Sequence, residues 1–296
     1  MQLSKEKLTE MLAYEAFIRR VAALELPLML KGSFVTRQYF PDPNNRIPYD
    51  LDWVYLEPVA DKALFEKQLD HIMIQATEAI VFDEVEFRSF RENRFWRQID
   101  YAMADDFPTV NTDLECKIDG EKQTIYQMDI SFNLDITPPP VPLTYYPLRG
   151  NPFVIPYTAP LALQVSWKLH QTLVRPRLKD IFDLTQLLQH PAFTTETLQQ
   201  AYEALLKECD RDNVNPLQLN YLLTKQPEKL SPTEDLQEAW NHWRHGRDNE
   251  NKDYKYYEEA SDATNADKLP ENLAVFMASF YEALDHAGFN KQHLIP

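Results

Sequence analysis

A chain of 296 residues can build one large domain or two ordinary ones, and 44% hydrophobic with 26% charged residues is typical of a packed globular protein. Its net charge of −16 argues against broad, nonspecific nucleic-acid binding, although a local basic cleft is compatible with it. No apolar run approaches the roughly 20 residues that cross a bilayer, and residues 1–7 lack the apolar core of a signal peptide. Because the only cysteines are Cys116 and Cys209, we expect no disulfide framework and a reduced, cytoplasmic protein.

The first part of the chain alternates helical and strand patterns around a single glycine. Apolar residues recur at helical spacing over residues 4–23, and a short apolar strand follows over 26–30. This strand ends at Gly32, the only glycine in the first 119 residues, so we expect an unusual φ or the close approach of a ligand there. The next predicted elements are a short helix over 34–40 and a buried strand over 49–56.

The middle of the chain predicts one more helix, several strands and a proline-dense stretch. Asp119-Gly120 is a favoured hairpin turn pair between two of the strands. Residues 137–160 are too rich in proline for a long helix, so we interpret them as the connector between two halves. The predicted elements are a helix over 61–76 and strands over 81–90, 95–103, 114–119 and 122–132.

After this connector every strong pattern is helical. A polar, acidic segment over 248–267 predicts a loop or an exposed helix. We therefore predict an α+β fold, with a mixed sheet and flanking helices in residues 1–150 and a helical domain in 151–296. The predicted helices of the second half are 161–174, 179–188, 195–209, 233–245 and 271–287.

Three aspartates interrupt apolar strand patterns. Asp50 and Asp52 are two residues apart, so their side chains point to the same face of a strand, and Asp129 is a third carboxylate in another predicted strand. Charged side chains are rarely buried unless they are paired or bind a metal, and an all-carboxylate set suits magnesium or manganese. The alternative is a strand end at which both Asp50 and Asp52 reach solvent.

Several short motifs occur together in a characteristic order. The turn Lys31-Gly32-Ser33 precedes Arg46 and then Asp50-Leu51-Asp52, while the second half carries Lys168 on a helix and the segment 175–184, which contains Asp180 and Asp183. This order resembles the DNA-polymerase-β-like nucleotidyltransferases, and more narrowly their AbiEii/AbiGii toxin group. Pro48 stands where the family pattern has a serine.

This resemblance implies a nucleotidyltransferase-type sheet followed by a helical domain that closes the active-site cleft. Asp50, Asp52 and Asp129 would bind the catalytic Mg²⁺ (or Mn²⁺), with Asp129 completing the metal site or helping to deprotonate the acceptor hydroxyl. The turn formed by Lys31, Gly32 and Ser33 would hold the triphosphate of an NTP.

The resemblance also implies roles for residues of the second half. Lys168 would neutralise phosphate charge, and Asp183 would orient Lys168 or one of the nearby arginines, Arg175 or Arg177, towards the nucleotide. Without the resemblance, Lys168 is a solvated lysine on an amphipathic helix. Asp180 is a candidate for nucleotide binding, but its position in a first helical turn also suits the helix dipole.

Arginines supply the remaining candidates. Arg37 and Arg46 are candidate phosphate contacts, with a surface salt bridge as the alternative for each. A cluster of arginines with interleaved aromatic residues could bind a nucleic-acid strand through phosphate contacts and stacking, or pair with the many acidic residues. The cluster comprises Arg88, Arg91, Arg94 and Arg97.

The function that follows from the resemblance is transfer of a nucleoside monophosphate from an NTP to an acceptor. We expect the toxin of a toxin–antitoxin or phage-defence pair, with RNA such as tRNA as acceptor, a cognate antitoxin as protein partner and no membrane association. The alternatives are nucleotidylation of a small molecule or a protein, and a non-catalytic NTP-binding protein of the same fold.

Overall fold

The computed structural model describes residues 5–60, 62–81, 83–99, 109–215, 217–230, 236–245, 264 and 268–290. The chain divides into two compact units, of which the first consists of Met1–Gln38 with Pro48–Ala159, and the second of Tyr39–Ile47 with Pro160–Pro296. No helix in the described ranges is both long and apolar enough to cross a membrane. Cys116 and Cys209 are both free and buried, as the cysteine count predicts.

The first unit contains a mixed sheet. Its strand order is β3-β5-β6-β2-β1-β8-β7, and β4 pairs with the first three residues of β5. Two pairs, β2 with β6 and β1 with β8, are parallel and the others are antiparallel. The strands are β1 (Leu28–Leu30), β2 (Leu51–Tyr55), β3 (Val85–Phe87), β4 (Arg97–Ile99), β5 (Thr109–Ile118), β6 (Glu121–Ser131), β7 (Val141–Tyr145) and β8 (Phe153–Thr158).

Three helices accompany this sheet: α1 (Lys5–Ala23), α2 (Ser33–Thr36) and α3 (Lys62–Glu78). The buried face of α1 packs against the sheet, where the Phe17 ring lies 6.3 Å from that of Trp53. The predicted helices over 4–23 and 61–76 are therefore confirmed. The predicted hairpin is confirmed as well, because Asp119 and Gly120 both have positive φ and join β5 to β6.

The connector predicted over 137–160 is wrong, because this stretch contributes β7 and β8 to the sheet. Proline lacks the N–H that a regular ladder needs, so it occurs in sheets at edges and bulges. Pro142 and Pro156 lie where the register between the two strands shifts, between the pairs Val141–Thr158 and Leu143–Ile155. The prolines exclude a helix here, but they do not exclude an irregular edge of a sheet.

The second unit is helical and has its own apolar core. That core includes Leu169, Leu184, Leu205 and Phe280, which come from four different helices. All five predicted helices are confirmed, and α7 is an additional one. The helices are α4 (Leu161–Val174), α5 (Leu178–Gln189), α6 (Thr195–Arg211), α7 (Leu217–Leu223), α8 (Leu236–His245) and α9 (Leu273–Ala287). Apart from Thr264, the segment 248–267 lies outside the described residues.

A short segment from the first half of the chain belongs to this helical unit. Residues 39–47 leave the first unit after a 3-10 turn over Arg37–Tyr39 and return to it before β2. The Phe40 ring packs 5.6 Å from that of Phe182 on α5, and the Thr264 hydroxyl donates a 2.6 Å hydrogen bond to the Asn45 carbonyl. The division of the chain predicted from the sequence placed this segment in the first domain.

Candidate active site

The glycine turn after β1 lies directly against a predicted metal ligand. Gly32 has φ 70° and ψ −150°, a backbone conformation that disfavours any residue with a Cβ. A Cβ at this position would also lie 3.2 Å from Cγ of Asp52, and closer still to its Oδ2. The turn is fixed to β2, since the Lys31 N–H donates a 3.0 Å hydrogen bond to the Asp52 carbonyl. The expected backbone need for glycine is confirmed.

Ser33, the first residue of α2, carries a buried hydroxyl. Its side chain is almost completely enclosed, and its Oγ has no hydrogen-bond partner among the described residues. A buried polar atom without a partner costs free energy. The turn therefore contains a polar group that a bound oxygen-rich ligand would satisfy.

The neighbouring strands align polar side chains in one row across the sheet, which we call the carboxylate row: Asp52 on β2, Asp129 on β6, Asn111 on β5 and Arg97 on β4. Asp52 is paired in register with Asp129, Asp129 with Asn111, and Asn111 with Arg97. Residues paired in this way point to the same face of the sheet. The row brings together two of the three predicted metal ligands, 77 positions apart in the chain (129 minus 52).

The third predicted ligand, Asp50, lies immediately before β2 and is half-buried, as are Asp52 and Asp129. Within the described ranges, no three or more histidine, cysteine, aspartate or glutamate side chains form a group that could hold a metal ion. Mg²⁺ is commonly held by one or two carboxylates together with substrate phosphates and water. The donor chemistry of Asp52 and Asp129 fits that mode, and the three-aspartate site stays a prediction.

The second unit gathers the other predicted residues into a chain of alternating charges, which we call the lysine network: Arg46, Asp183, Lys168, Asp180 and Arg177. The Lys168 ammonium donates to Asp183 Oδ2 at 2.7 Å and to Asp180 Oδ1 at 3.2 Å. The remaining carboxylate oxygens are also occupied, since Arg46 donates to Asp183 Oδ1 at 2.9 Å and Arg177 to Asp180 Oδ2 at 2.6 Å.

This arrangement keeps Lys168 and Asp180 ionised although both are mostly buried. Burial alone would lower the pKa of Lys168, but the charges of Asp183 and Asp180 outweigh it and raise that pKa above its ordinary value. Burial alone would raise the pKa of Asp180, but Lys168 and Arg177 lower it to about 2. Lys168 therefore acts as a cation at neutral pH, and the solvated helix face that was the alternative is wrong.

The two arginines with predicted phosphate contacts are both enclosed. Arg37 is completely buried and donates to Glu15 Oε1 at 2.8 Å and to the Tyr145 hydroxyl at 3.1 Å. Arg46 is also buried, and besides Asp183 it binds the Ile47 carbonyl at 2.7 Å. The alternative of a surface salt bridge is wrong for both, because each makes a buried ion pair. Nucleotide contacts by Arg37 and Arg46 stay predictions.

The four clustered arginines all make ion pairs with acidic side chains, as one of the two alternatives predicts. Binding of an acceptor by these arginines stays a prediction. The pairs are Arg88 with Glu92 and Glu115, Arg91 with Glu78, Arg94 with Asp70, and Arg97 with Asp113.

Two features of the carboxylate row and the lysine network could not be predicted from the sequence motifs. Asn111 lies in a stretch where we predicted no strand, so its place beside Asp129 could not be inferred. The Arg46–Asp183 pair joins residues 137 positions apart. The acidic residue and the arginine were each noticed, but nothing local indicates that they are partners.

A mixed sheet with aligned carboxylates beside a glycine turn, followed in the chain by a helical unit, defines an α+β protein of the nucleotidyltransferase type. The family model of the AbiEii toxin, a nucleotidyltransferase of type IV toxin–antitoxin systems, matches residues 17–274, so the chain belongs to this family.

Solved structures give two further comparisons. MenT4, a nucleotidyltransferase toxin from Mycobacterium tuberculosis, is 10% identical with a TM-score of 0.55, and the match covers 97% of this chain and 86% of that one. A protein from H. pylori, provisionally assigned as a nucleotidyltransferase, is 16% identical with a TM-score of 0.41 over 96% and 98% of the two chains. The structural similarity to MenT4 supports the assignment of the fold. No curated protein sequence matches this chain.

Proposed function

We propose that this protein is a toxin that transfers a nucleoside monophosphate from an NTP to RNA, such as tRNA, with the help of Mg²⁺ or Mn²⁺. The family supports a nucleotidyltransferase toxin. The metal, the acceptor, a cognate antitoxin as partner and a cytoplasmic location are parts of the proposal.

One observation carries the chemistry: Asp52 and Asp129 are paired in register, and Asp52 lies against a glycine turn that has no room for a Cβ. This pairing supports a site in which two carboxylates act as oxygen ligands beside a turn whose backbone and hydroxyl groups bind phosphate. A divalent ion held there would polarise the α-phosphate and stabilise the charge that develops on the attacking and leaving oxygens.

The residues of the chain then have separate tasks in this proposal. Asp52 and Asp129 supply carboxylate oxygens to the ion, with Asp50 as the further candidate ligand. The turn at Gly32 and the unpartnered Ser33 hydroxyl hold the triphosphate. A hydroxyl of the acceptor attacks the α-phosphorus, its oxygen–phosphorus bond forms, the bond to the β-phosphate oxygen breaks, and pyrophosphate leaves.

In this proposal Lys168 supplies a positive charge and does not act as a base. Its ammonium touches two carboxylates, and the lysine network contains three cations and two anions, which leaves one net positive charge. Such a charge favours the triphosphate and the departing pyrophosphate. Arg46 and Arg177 support Lys168 indirectly, because they hold the other oxygens of Asp183 and Asp180.

The decisive test is incorporation of label from each NTP, radiolabelled at the α-phosphate, into total RNA and total protein in the presence of Mg²⁺. The variants are Asp52→Asn and Asp129→Asn. The matched control is Asp70→Asn, because this carboxylate also lies in the first unit but binds Arg94 and Trp96. We expect label in RNA with the wild type and the control, and its loss by at least about 1,000-fold with the other two variants.

The other outcomes separate the alternatives. Label in protein would reject RNA as acceptor but retain the transfer chemistry. Binding of an NTP without any transfer, in assays that contain total RNA and total protein, would favour a non-catalytic binding protein. Equal transfer by the wild type and Asp52→Asn would reject the proposed metal site.

A further inference from the structure

The carboxylate row contains more than the predicted metal ligands. The Asn111 side chain is buried, and its amide nitrogen donates a hydrogen bond to Asp129 Oδ1. On the other side of the same amide, Arg97 donates to Asn111 Oδ1 from Nε at 2.9 Å and from a terminal guanidinium nitrogen at 2.6 Å. The three side chains form a relay from a cation through an amide to a carboxylate.

The orientation of the Asn111 amide in this relay follows from the donors and acceptors available. A guanidinium group only donates, and an ionised carboxylate only accepts. The amide oxygen must therefore face Arg97 and the amide NH₂ group must face Asp129. The reversed amide would place donor against donor and acceptor against acceptor, so Arg97 fixes the side of Asn111 that Asp129 meets.

Arg97 is itself fixed although its side chain is about half exposed. Its guanidinium forms an ion pair with Asp113, and its Cζ lies 5.0 Å from the centre of the Phe95 ring. The strand register places the Arg97 side chain in the carboxylate row, since Arg97 is paired with Asn111 and Asn111 with Asp129. The relay is thus anchored at the end farthest from Asp129.

We propose that Asn111 and Arg97 are positioning residues: they hold Oδ1 of Asp129 and so fix the orientation in which this carboxylate meets the metal and nucleotide. Asn111 acts directly on Asp129, and Arg97 acts only through Asn111. This inference rests on the proposed function, because it assumes that Asp129 is a metal ligand.

The test is direct Mn²⁺ binding, measured from the electron paramagnetic resonance signal of free Mn²⁺, in the presence of α,β-methylene analogues of the four NTPs. Asn111→Leu keeps the approximate volume of the side chain and removes its donor. We expect Asn111→Leu and Arg97→Met to weaken Mn²⁺ binding by about 10- to 100-fold, the usual effect of removing a group that orients a metal ligand. Arg97→Lys, which can still donate to Asn111, is expected to lie between Arg97→Met and the wild type.

The matched control is Ser131→Ala. It removes another buried cross-strand hydrogen bond between β5 and β6, the 3.0 Å contact with Thr109, and leaves Asp129 untouched. We expect this control to bind Mn²⁺ as the wild type does. In the double variant, Arg97→Met should add nothing to the effect of Asn111→Leu, because Arg97 acts through Asn111.

Wild-type Mn²⁺ affinity in Asn111→Leu would overturn the inference while leaving the proposed function intact. Additive effects of the two substitutions, or an equal loss in Ser131→Ala, would show that the relay supports the sheet and does not position Asp129. Absence of Mn²⁺ binding by the wild type would reject the metal site of the proposed function itself, and with it this inference.

Discussion

The carboxylate row and the lysine network each contain two aspartates, but the partners of their carboxylates differ. In the lysine network each oxygen of Asp183 and Asp180 has a cationic donor within the protein. In the carboxylate row the two aspartates are half-buried, and Asp129 accepts a hydrogen bond from the neutral amide of Asn111. Ser33, which follows Gly32 in the turn, has a buried hydroxyl with no hydrogen-bond partner in the described part of the chain.

This difference predicts two kinds of effect when residues of the two groups are substituted. A network whose carboxylates are all paired with cations of the protein contributes to the folded state whether or not a ligand is bound. In the proposed function, the carboxylate row has a different task, which is to bind a cation and phosphates. Substitutions in the lysine network should therefore change stability, and those around the carboxylate row should change binding and transfer.

The largest effect on stability is expected from Asp183→Asn. This substitution removes a buried anion that accepts hydrogen bonds from both Arg46 and Lys168, and the loss of a buried ion-pair partner typically costs about 3–5 kcal/mol. Urea unfolding followed by tryptophan fluorescence would measure it, since Trp240 and Trp243 lie in the same unit. The control Asp285→Asn breaks an exposed pair with Lys225 and should leave stability unchanged. Equal stability of the two variants would contradict the comparison.

Gly32→Ala should reduce transfer by about 100-fold, because the new Cβ displaces the Asp52 carboxylate from its place beside the turn. Gly120→Ala is the matched control: it imposes the same kind of backbone strain at φ 79°, but nothing lies within 4 Å of the added Cβ. Both variants should lose about 1–3 kcal/mol of stability. If Gly120→Ala lost transfer to the same extent, strain alone would explain the effect.

The acid sensitivity of the helical unit should depend on Asp180. Its pKa is lowered to about 2 when folded, against an ordinary value near 4, so its stabilising contribution is present above about pH 4 and is lost as pH falls towards 2. This contribution is about 2–3 kcal/mol. Urea unfolding at pH 5 and at pH 2.5 should show a smaller loss of stability for Asp180→Asn than for the wild type. Parallel losses would argue against the Lys168 and Arg177 pairing.

The smallest effect is expected from Ser33→Ala. Removal of a buried hydroxyl that has no partner within the described residues should leave the free energy of unfolding unchanged or raise it slightly. NTP affinity, measured by calorimetry, should fall about tenfold through loss of a hydrogen bond to a charged phosphate. Ser166→Ala removes another buried hydroxyl without a described partner, on α4, and should leave affinity unchanged. Unchanged affinity in Ser33→Ala would remove this hydroxyl from the proposed phosphate site.

Much of the fold follows from local patterns, and the exceptions have physical reasons. The helices over 161–174 and 271–287 were predicted closely because an apolar face repeats with the period of a helix. The strands β7 and β8 were missed because the stretch that contains them is rich in proline. They pair with each other, and β8 also pairs with β1, a contact that makes an irregular edge tolerable and that no local pattern shows.

The residues of the candidate site also include some that the sequence indicates and others whose partners only the structure shows. The spacing of Asp50 and Asp52, the lone glycine before them and the order of the motifs are properties of the sequence, and they were sufficient to indicate the family. The side chains of Arg37 and Arg46 were noticed for their charge, but charge alone does not distinguish a phosphate contact from a buried ion pair. Their partners, Glu15 and Asp183, are known only from the structure.

The sequence by itself determined the elements with a strong local period, the two-residue spacing of the aspartates and the family to which the chain belongs. Only the tertiary structure decided that Asp52 faces Asp129, that Asn111 and Arg97 complete that row, and that residues 39–47 pack with the helical unit. The reason is that helical and strand periods depend on neighbours within a few positions. Strand register and buried ion pairs depend instead on residues brought together from distant parts of the chain.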